Sequence, residues 1–294
     1  MKVGIIGAGA WGTALACGIA RIGHDVVLWA FDLALAQDMQ RDRTNDSLPD
    51  VIIPENVFIT NDMETACKTD IWIIAVPSEF FSETLQKSRE FYKNQPVISA
   101  AKGINPDGML MSDIIQKSLN GAVGVISGPG FARELALGKL TGSVIAGVDT
   151  VVDAAREIFA DLVLEDTEDI TGVQLCGAGK NIVAILMGYL DGQGAGENER
   201  ALKLCQTWAE ITDLGIALGA DKDTFSGLAG MGDLFLSAGS RTSRNYEAGL
   251  DLAAMRKPTG TTEGIISLRG LLKLAEKTGV FMPNVNFLAS LTGV

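Results

Sequence analysis

Histidine is nearly missing from this chain: His24 is the single one, in a Gly23-His-Asp turn. A histidine-rich metal site is thereby excluded, and the turn reads as a surface feature outside any chemistry. Cysteine is sparse too. Cys17, Cys67, Cys176 and Cys205 show no close pairing and no metal-ligand spacing, and each lies in an apolar or small-residue stretch. They read as small buried thiols of a reducing compartment, not as disulfides or a zinc set, and no metal is expected. Positive charge is the minority sign, with 24 Lys and Arg against 36 Asp and Glu and a net charge of −12. That balance argues against a nucleic-acid surface and an anionic membrane as partners. An anionic substrate stays open, because a few local cations can dominate a cleft. Long hydrophobic runs are also lacking: no apolar run reaches the ~18 residues of a membrane span. The opening Met-Lys-Val-Gly-Ile-Ile already reads as a strand with no signal peptide before it, so a cytoplasmic place is expected.

What is present is the texture of an α/β protein. The 294 residues suffice for two domains, and 47% hydrophobic with 20% charged residues is ordinary for a soluble one. In the first half Val3–Ile6, Asp25–Trp29, Ile71–Val76, Pro96–Ala100, Val123–Ser127 and Ser143–Ala146 read as buried strands. Helical patterns lie between several of them, notably Trp11–Ile22 and Ser82–Tyr92. Such alternation predicts a Rossmann-like, doubly wound, mostly parallel sheet. From about Thr171 strands disappear, and Gly172–Leu190, Glu199–Leu218, Asp223–Gly230 and Ile265–Lys277 carry helical periodicity. The expected organisation is a dinucleotide-binding domain over 1–170 and an all-helical substrate and catalytic domain over 171–294. No fixed-period repeat or low-complexity segment is visible.

The first strand runs into Gly7-Ala-Gly9-Ala-Trp-Gly12 and then a helix. A GxGxxG alone says little, but between a strand and a helix it specifies a pyrophosphate loop. Gly7 permits the turn, Gly9 lets the backbone approach the phosphates, and Gly12 lets helix and strand pack. The phosphates then meet the free N–H groups and dipole of the helix N-terminus. Asp32 lies 20 residues after Gly12, at the end of the next strand. An acid there accepts from the ribose hydroxyls and repels a 2′-phosphate. No arginine stands at that strand end to neutralise such a phosphate, so NAD is expected over NADP.

Oxidising an alcohol with a nicotinamide needs a base for the hydroxyl proton. With His24 misplaced, lysines and carboxylates are the candidates. Lys102 follows the strand ending at Ala100–Ala101, at the carboxyl end where open α/β sheets bind ligands. Lys180 is embedded in Gly177-Ala-Gly-Lys-Asn-Ile-Val-Ala, an otherwise apolar helix. The pattern leaves two readings open for it: a side chain snorkelling to solvent, or a base held in a cleft with a lowered pKa.

At this point the chain resembles the NAD(P)-dependent glycerol-3-phosphate dehydrogenases. The resemblance rests on Gly7–Leu15 (GAGAWGTAL), Asn45–Val57 (NDSLPDVIIPENV), Ala75–Ser78 (AVPS), Lys102-Gly103 and Ser127–Glu134 (SGPGFARE). It continues through Gly177–Ala184 (GAGKNIVA), Asp191–Asn198 (DGQGAGEN), Gly227–Leu234 (GLAGMGDL), Ser243-Arg244-Asn245 and Glu263-Gly264. These blocks run in order from residue 1 to about 265. The resemblance implies that Lys180 is the proton acceptor, with Lys102 and Asp233 beside it in catalysis. It implies that Lys102, Gly128, Gly130, Lys180, Asn181, Asp233, Ser243, Arg244 and Asn245 bind substrate, the last three as a phosphate group. Gly7, Gly9, Trp11, Gly12, Phe31, Asp32, Lys102, Ala132, Arg244 and Glu263 are the implied cofactor contacts. An arginine fork beside an asparagine suits a phosphate dianion, and two lysines can stabilise a developing alkoxide. A small phosphorylated three-carbon substrate, a homodimer and a part in glycerophospholipid precursor synthesis are further implications.

The chain departs from the family pattern at several places. Phe31 stands where bacterial members usually carry arginine, and Phe31-Asp32 is closer to the pair of NAD-specific eukaryotic enzymes. Gly130 replaces a serine or threonine, Gly179 replaces the leucine before the lysine, and Ser237 stands for threonine. Gln206-Thr207 lacks a typical Arg-Gly, the stretch between Asn245 and Glu263 is short, and the chain stops early, at Val294. Most departures touch the substrate side. Two other readings therefore stand beside the leading one: a paralogous dehydrogenase of another small phosphorylated or carboxylated alcohol, and a non-catalytic NAD-binding sensor. A sensor has no need of Lys102, Lys180 and Asp233 together.

Overall fold

The computed structural model of the chain describes residues 1–239, 243–258 and 262–293. Eight strands form one sheet: β1 (Lys2–Ile6), β2 (Asp25–Trp29), β3 (Val57–Thr60), β4 (Ile71–Ile74), β5 (Val97–Ser99), β6 (Val123–Ser127), β7 (Gly142–Gly147) and β8 (Val163–Thr167). Their order is β3-β2-β1-β4-β5-β6-β7-β8, parallel everywhere except between β6 and β7. The winding reverses between β1 and β4, which opens a crevice beyond their carboxyl ends. Seven helices connect these strands: α1 (Ala10–Arg21), α2 (Leu33–Asp42), α3 (Met63–Cys67), α4 (Phe81–Ser88), α5 (Met111–Leu119), α6 (Ala132–Ala136) and α7 (Asp149–Ile158). The central strands are runs of Val and Ile buried on both faces, as a sheet covered by helices on two sides demands.

The helical remainder comprises α8 (Ile170–Gly192), α9 (Glu197–Ala217), α10 (Lys222–Ser226), a π turn over Leu228–Gly232, α11 (Asp233–Ala238), α12 (Arg244–Ala253), α13 (Glu263–Thr278) and α14 (Pro283–Thr292). The others gather round α8. One crossing fixes the site: a Cβ on Gly188 would fall 2.0 Å from the Tyr246 carbonyl oxygen, and one on Gly249 would fall 2.0 Å from that of Ile185. Only glycine lets the backbones of α8 and α12 meet this closely, and the meeting carries the first turn of α12 up beside Lys180 and Asn181.

The Rossmann-like sheet followed by a helical region is as expected, with corrections in detail. Strands β3 and β8 were not foreseen; both lie at sheet edges, and β8 (VLEDT) is exposed and charged, so it lacks an apolar run. The expected helix Asp223–Gly230 breaks after Ser226 into the π turn. Among the described residues α8 alone has the length and mean hydropathy of a membrane span, 1.4 over 18 residues, without being an unbroken apolar run. Gln174, Lys180 and Asn181 interrupt its apolar run, and 89% of that window is buried inside the protein, so α8 is a core helix. Cys17, Cys67 and Cys176 are buried, but Cys205 is exposed on the outer face of α9, against expectation. Residues 240–242, within the loop before Ser243, and 259–261, within the stretch before Glu263, lie outside the described residues.

Candidate active site

The loop between β1 and α1 lies at the crevice. Gly7 has φ 122°, a left-handed conformation that L side chains rarely adopt, and a Cβ there would fall 2.8 Å from the Ala75 backbone after β4. A Cβ on Gly12 would fall 1.9 Å from the Gly7 carbonyl oxygen. At Gly9, in contrast, a Cβ would meet no protein atom within 4 Å. Packing dictates the first and third glycines, whereas the second faces space left for something else. Gly9 also begins α1 without a side-chain cap, unlike Asp32 on α2 or Asp169 on α8. Nearby, the indole Nε1 of Trp11 is buried with no hydrogen-bond partner among the described residues. An uncapped helix end, an open glycine and an orphaned donor together fit an anionic ligand such as a dinucleotide pyrophosphate.

Further along the same edge, Asp32 lies past β2 and its Oδ1 accepts from Leu35 N at 2.7 Å, capping α2. Phe31 is 76% exposed and packs edge-on to Trp29. Lys87 on α4 places its ammonium 5.5 Å from the Phe31 ring centroid, while pairing with Glu83 at 2.6 Å. No arginine stands at this strand end, but a lysine reaches its Phe31 from a helix 56 residues on. Ala132 is the first residue of α6, partly buried against the same core as Trp11. His24 sits at the opposite, amino end of β2, with Nε2 3.1 Å from the Glu157 carbonyl, away from the crevice.

The charged centre is built from three elements. Lys102, just past β5, donates to Asp233 Oδ2 at 2.8 Å and to the Gly128 carbonyl at 2.7 Å. Lys180, in mid-α8, donates to Asp233 Oδ1 at 2.7 Å and to the Ser237 hydroxyl at 2.9 Å. Asp233 opens α11 directly after the π turn and is fully buried. Burial pushes Lys180 down to about 8; Asp233 opposes that shift and Lys102 adds to it. Burial alone would raise the Asp233 carboxyl, but the two ammoniums outweigh it and hold it below the usual range. Lys102 also lies 5.3 Å from the Trp11 ring, so the charged centre adjoins the glycine loop. Lys180 thus does not snorkel to solvent: it is buried and paired.

A line of amides joins this centre to α12 and α13. Asn181 Nδ2 donates to the Lys102 carbonyl at 2.9 Å, and Asn245 Nδ2 donates to Asn181 Oδ1 at 2.9 Å. Gly264 N then donates to Asn245 Oδ1 at 3.0 Å. Much of the hydrogen-bonding capacity of Asn181 and Asn245 thus goes into holding four segments together, which the reading of both as substrate contacts did not anticipate. Ser243 caps α12 by accepting from Tyr246 N at 3.4 Å, and Arg244 is exposed on the first turn. Glu263, first residue of α13, accepts from Ser78 N at 3.0 Å and Ser78 Oγ at 2.7 Å. Burial pushes its carboxyl up, against the Ser78 bonds and the Arg244 charge.

The structure thus gathers Lys102, Lys180, Asp233, Asn181, Asn245 and Gly128 about one centre, with Trp11 adjoining it. Gly130 flanks Trp11: a Cβ there would lie 3.3 Å from the indole ring, so the absence of a side chain leaves the ring uncrowded. Gly179 also has a packing reason, since a Cβ there would fall 2.6 Å from Ile211 on α9. Two participants escaped sequence reasoning. Ser237 was noted only as a departure although it accepts from Lys180, and Ser78 was quoted within AVPS with no role. Each partner pair is far apart in the chain, and no periodicity could have joined them.

Two family models match the chain. The N-terminal model of NAD-dependent glycerol-3-phosphate dehydrogenase matches residues 2–152, and the C-terminal model matches residues 169–292. The chain is 38% identical to glycerol-3-phosphate dehydrogenase [NAD(P)+] of Carboxydothermus hydrogenoformans, over 96% of this chain and 89% of that protein. It is also 38% identical to the enzyme of that name from Cronobacter sakazakii, over 95% and 87% of the two chains. The crystal structure of glycerol-3-phosphate dehydrogenase from Coxiella burnetii superposes with a TM-score of 0.92 at 28% identity, covering 99% of this chain and 94% of that one. This chain belongs to the NAD-dependent glycerol-3-phosphate dehydrogenase family.

Proposed function

We propose that the chain interconverts dihydroxyacetone phosphate and sn-glycerol 3-phosphate with NAD(H), a step that supplies glycerophospholipid precursors. The observation that carries this reading is Lys180: a buried ammonium with a pKa lowered to about 8, sharing Asp233 with Lys102 beside the cofactor crevice. Bound there, the nicotinamide supplies the hydride acceptor or donor. In the oxidative direction neutral Lys180 takes the proton of the substrate hydroxyl at Nζ. In the reductive direction its ammonium returns that proton to the forming alkoxide. Lys102 presents its side-chain nitrogen to the same oxygen, where its donated hydrogen favours the alkoxide-like transition state. Asp233 touches both nitrogens and holds them at the spacing this requires. Ser237 accepts one Lys180 hydrogen and so limits the directions in which the others point.

On the substrate side, Arg244 and Ser243 at the start of α12 take the phosphate, with the helix N-terminus contributing its dipole. Asn181 and Asn245 keep that turn in register with Lys102 through their shared amide bond. Gly7, Gly9, Trp11, Gly12, Phe31, Asp32, Ala132 and Glu263 line the cofactor side. Residues 1–170 form the cofactor-binding unit and 171–294 the catalytic one; the working assembly is a homodimer in the cytoplasm, with NAD preferred to NADP. The test is direct. Purified protein with NAD and sn-glycerol 3-phosphate is expected to form NADH, and the mirror-image sn-glycerol 1-phosphate is expected to give far less. Equal rates with both would overturn the assignment.

A further inference from the structure

Behind the glycine loop lies a side chain that the active-site account does not use. Asn45 is buried at the head of the loop that leaves α2. Its Nδ2 donates twice, to the Ala8 carbonyl at 2.9 Å and to the Thr13 hydroxyl at 2.8 Å. Its Oδ1 accepts from Ser47 N at 2.9 Å, and its own carbonyl accepts from Leu48 N at 2.8 Å. The loop that carries it is itself pinned. Arg43, in the left-handed conformation at φ 57°, donates to the Val57 carbonyl at 2.9 Å, to the Ile53 carbonyl at 3.3 Å and to the Pro54 carbonyl. Asn45 is therefore a fixed point, and what it touches is set by it.

Ala8 is the residue between Gly7 and Gly9, and its carbonyl shares a peptide plane with the Gly9 N–H. In a trans peptide these two groups point in opposite directions, and the described residues contain no cis bond. Drawing the Ala8 carbonyl toward Asn45 therefore turns the Gly9 N–H to the other side of the peptide, away from Asn45, and the space beside Gly9 is open: a Cβ there would meet nothing within 4 Å. The second bond, to Thr13, ties the same amide to the first turn of α1, so loop and helix N-terminus are held by one side chain. We propose that Asn45 is a positioning residue for cofactor binding: its amide fixes the Ala8–Gly9 peptide so that the Gly9 N–H is presented to the pyrophosphate. This rests on reading Gly7–Gly12 as the cofactor loop. The Asn45 amide makes no direct contact with the phosphates; it acts through the backbone.

The test is an NADH fluorescence titration of wild type and Asn45→Ala, with steady-state kinetics on the same samples. Leaving a buried carbonyl without its donor should weaken NADH binding about tenfold. kcat at saturating NADH and KM for dihydroxyacetone phosphate should stay within about twofold, because Lys102, Lys180 and Asp233 are untouched. A merely structural role would lower the melting temperature and the active fraction without moving the NADH dissociation constant of the folded protein. If Asn45→Ala does not fold, Asn45→Ser, whose hydroxyl can serve only one acceptor at a time, takes its place and should weaken binding about threefold. Unchanged NADH affinity in the folded variant, or a kcat that falls along with it, overturns the proposal. Wild-type protein that fails to bind NADH overturns the cofactor reading itself, a result separable from equal binding by wild type and variant.

Discussion

Lys102 and Lys180 grip opposite oxygens of one carboxylate: the first lies 2.8 Å from Asp233 Oδ2 and the second 2.7 Å from Oδ1. They come from different elements, the end of β5 and the middle of α8, and the fully buried Asp233 is what joins them. Two ammoniums this close repel each other, and one bridging anion offsets that repulsion while leaving both nitrogens with hydrogens for a substrate oxygen.

Asp233→Asn is therefore expected to do two things. It strands two partly buried cations, and breaking such a group should cost about 3–5 kcal/mol in chemical denaturation. It also removes the charge that raises the Lys180 pKa, so the pH profile of any residual alcohol oxidation should move to lower pH. A profile that stays in place, in a folded variant, would show that Asp233 does not govern Lys180.

The pH dependence of the wild type follows from the lowered Lys180 pKa of about 8. Only the neutral amine accepts a proton, so the rate of glycerol 3-phosphate oxidation should rise with pH through about 8 and then level off. Only the ammonium donates one, so ketone reduction should fall as pH rises through the same region. Lys180→Ala should lose ~10²–10⁴-fold in turnover and still bind NADH in a fluorescence titration. A variant that keeps more than about a tenth of wild-type turnover would place the base elsewhere.

Arg244 is the expected phosphate anchor. A three-carbon ketone has few apolar atoms, so its charged group must provide much of the binding. Arg244→Ala should lose about 2–5 kcal/mol of transition-state binding for dihydroxyacetone phosphate. Activity on unphosphorylated dihydroxyacetone should change far less at saturating NADH. Equal proportional losses on the two ketones would remove Arg244 from the phosphate site.

If Asp32 is the proposed ribose contact, NADH should be the better cofactor, since a carboxylate at that position repels a 2′-phosphate. Asp32→Ala should narrow the gap in kcat/KM between NADH and NADPH. Lys87, poised over Phe31, works in the other direction, and Lys87→Ala should widen it. Wild-type kinetics with equal or better efficiency on NADPH would contradict the assignment.

The legible part of this protein was the part written in local pattern. The Val and Ile runs of β1, β2, β4 and β6 and the strand–loop–helix around Gly7–Gly12 depend on neighbours in sequence, and they stand where the pattern put them. Strand β8 has no such signal, because an exposed edge strand carries charge where a central one carries Val or Ile. Lys87 reaches Phe31 only because β4 lies beside β1, which no spacing encodes. The same holds for Ser237 beneath Lys180 and for Asn45 behind Ala8, short polar side chains whose partners are set by how the backbone crosses. Asp233, Asn181 and Asn245 were named through family resemblance, and the bonds among them became visible only in three dimensions.

The most direct measurement is NADH oxidation by the wild-type protein with dihydroxyacetone phosphate, unphosphorylated dihydroxyacetone and a carboxylated three-carbon ketone such as pyruvate, compared by kcat/KM. Dihydroxyacetone phosphate should be strongly preferred, with the other two slower by orders of magnitude. A preference for the carboxylated or the unphosphorylated ketone would contradict this and make the chain a dehydrogenase of another small alcohol.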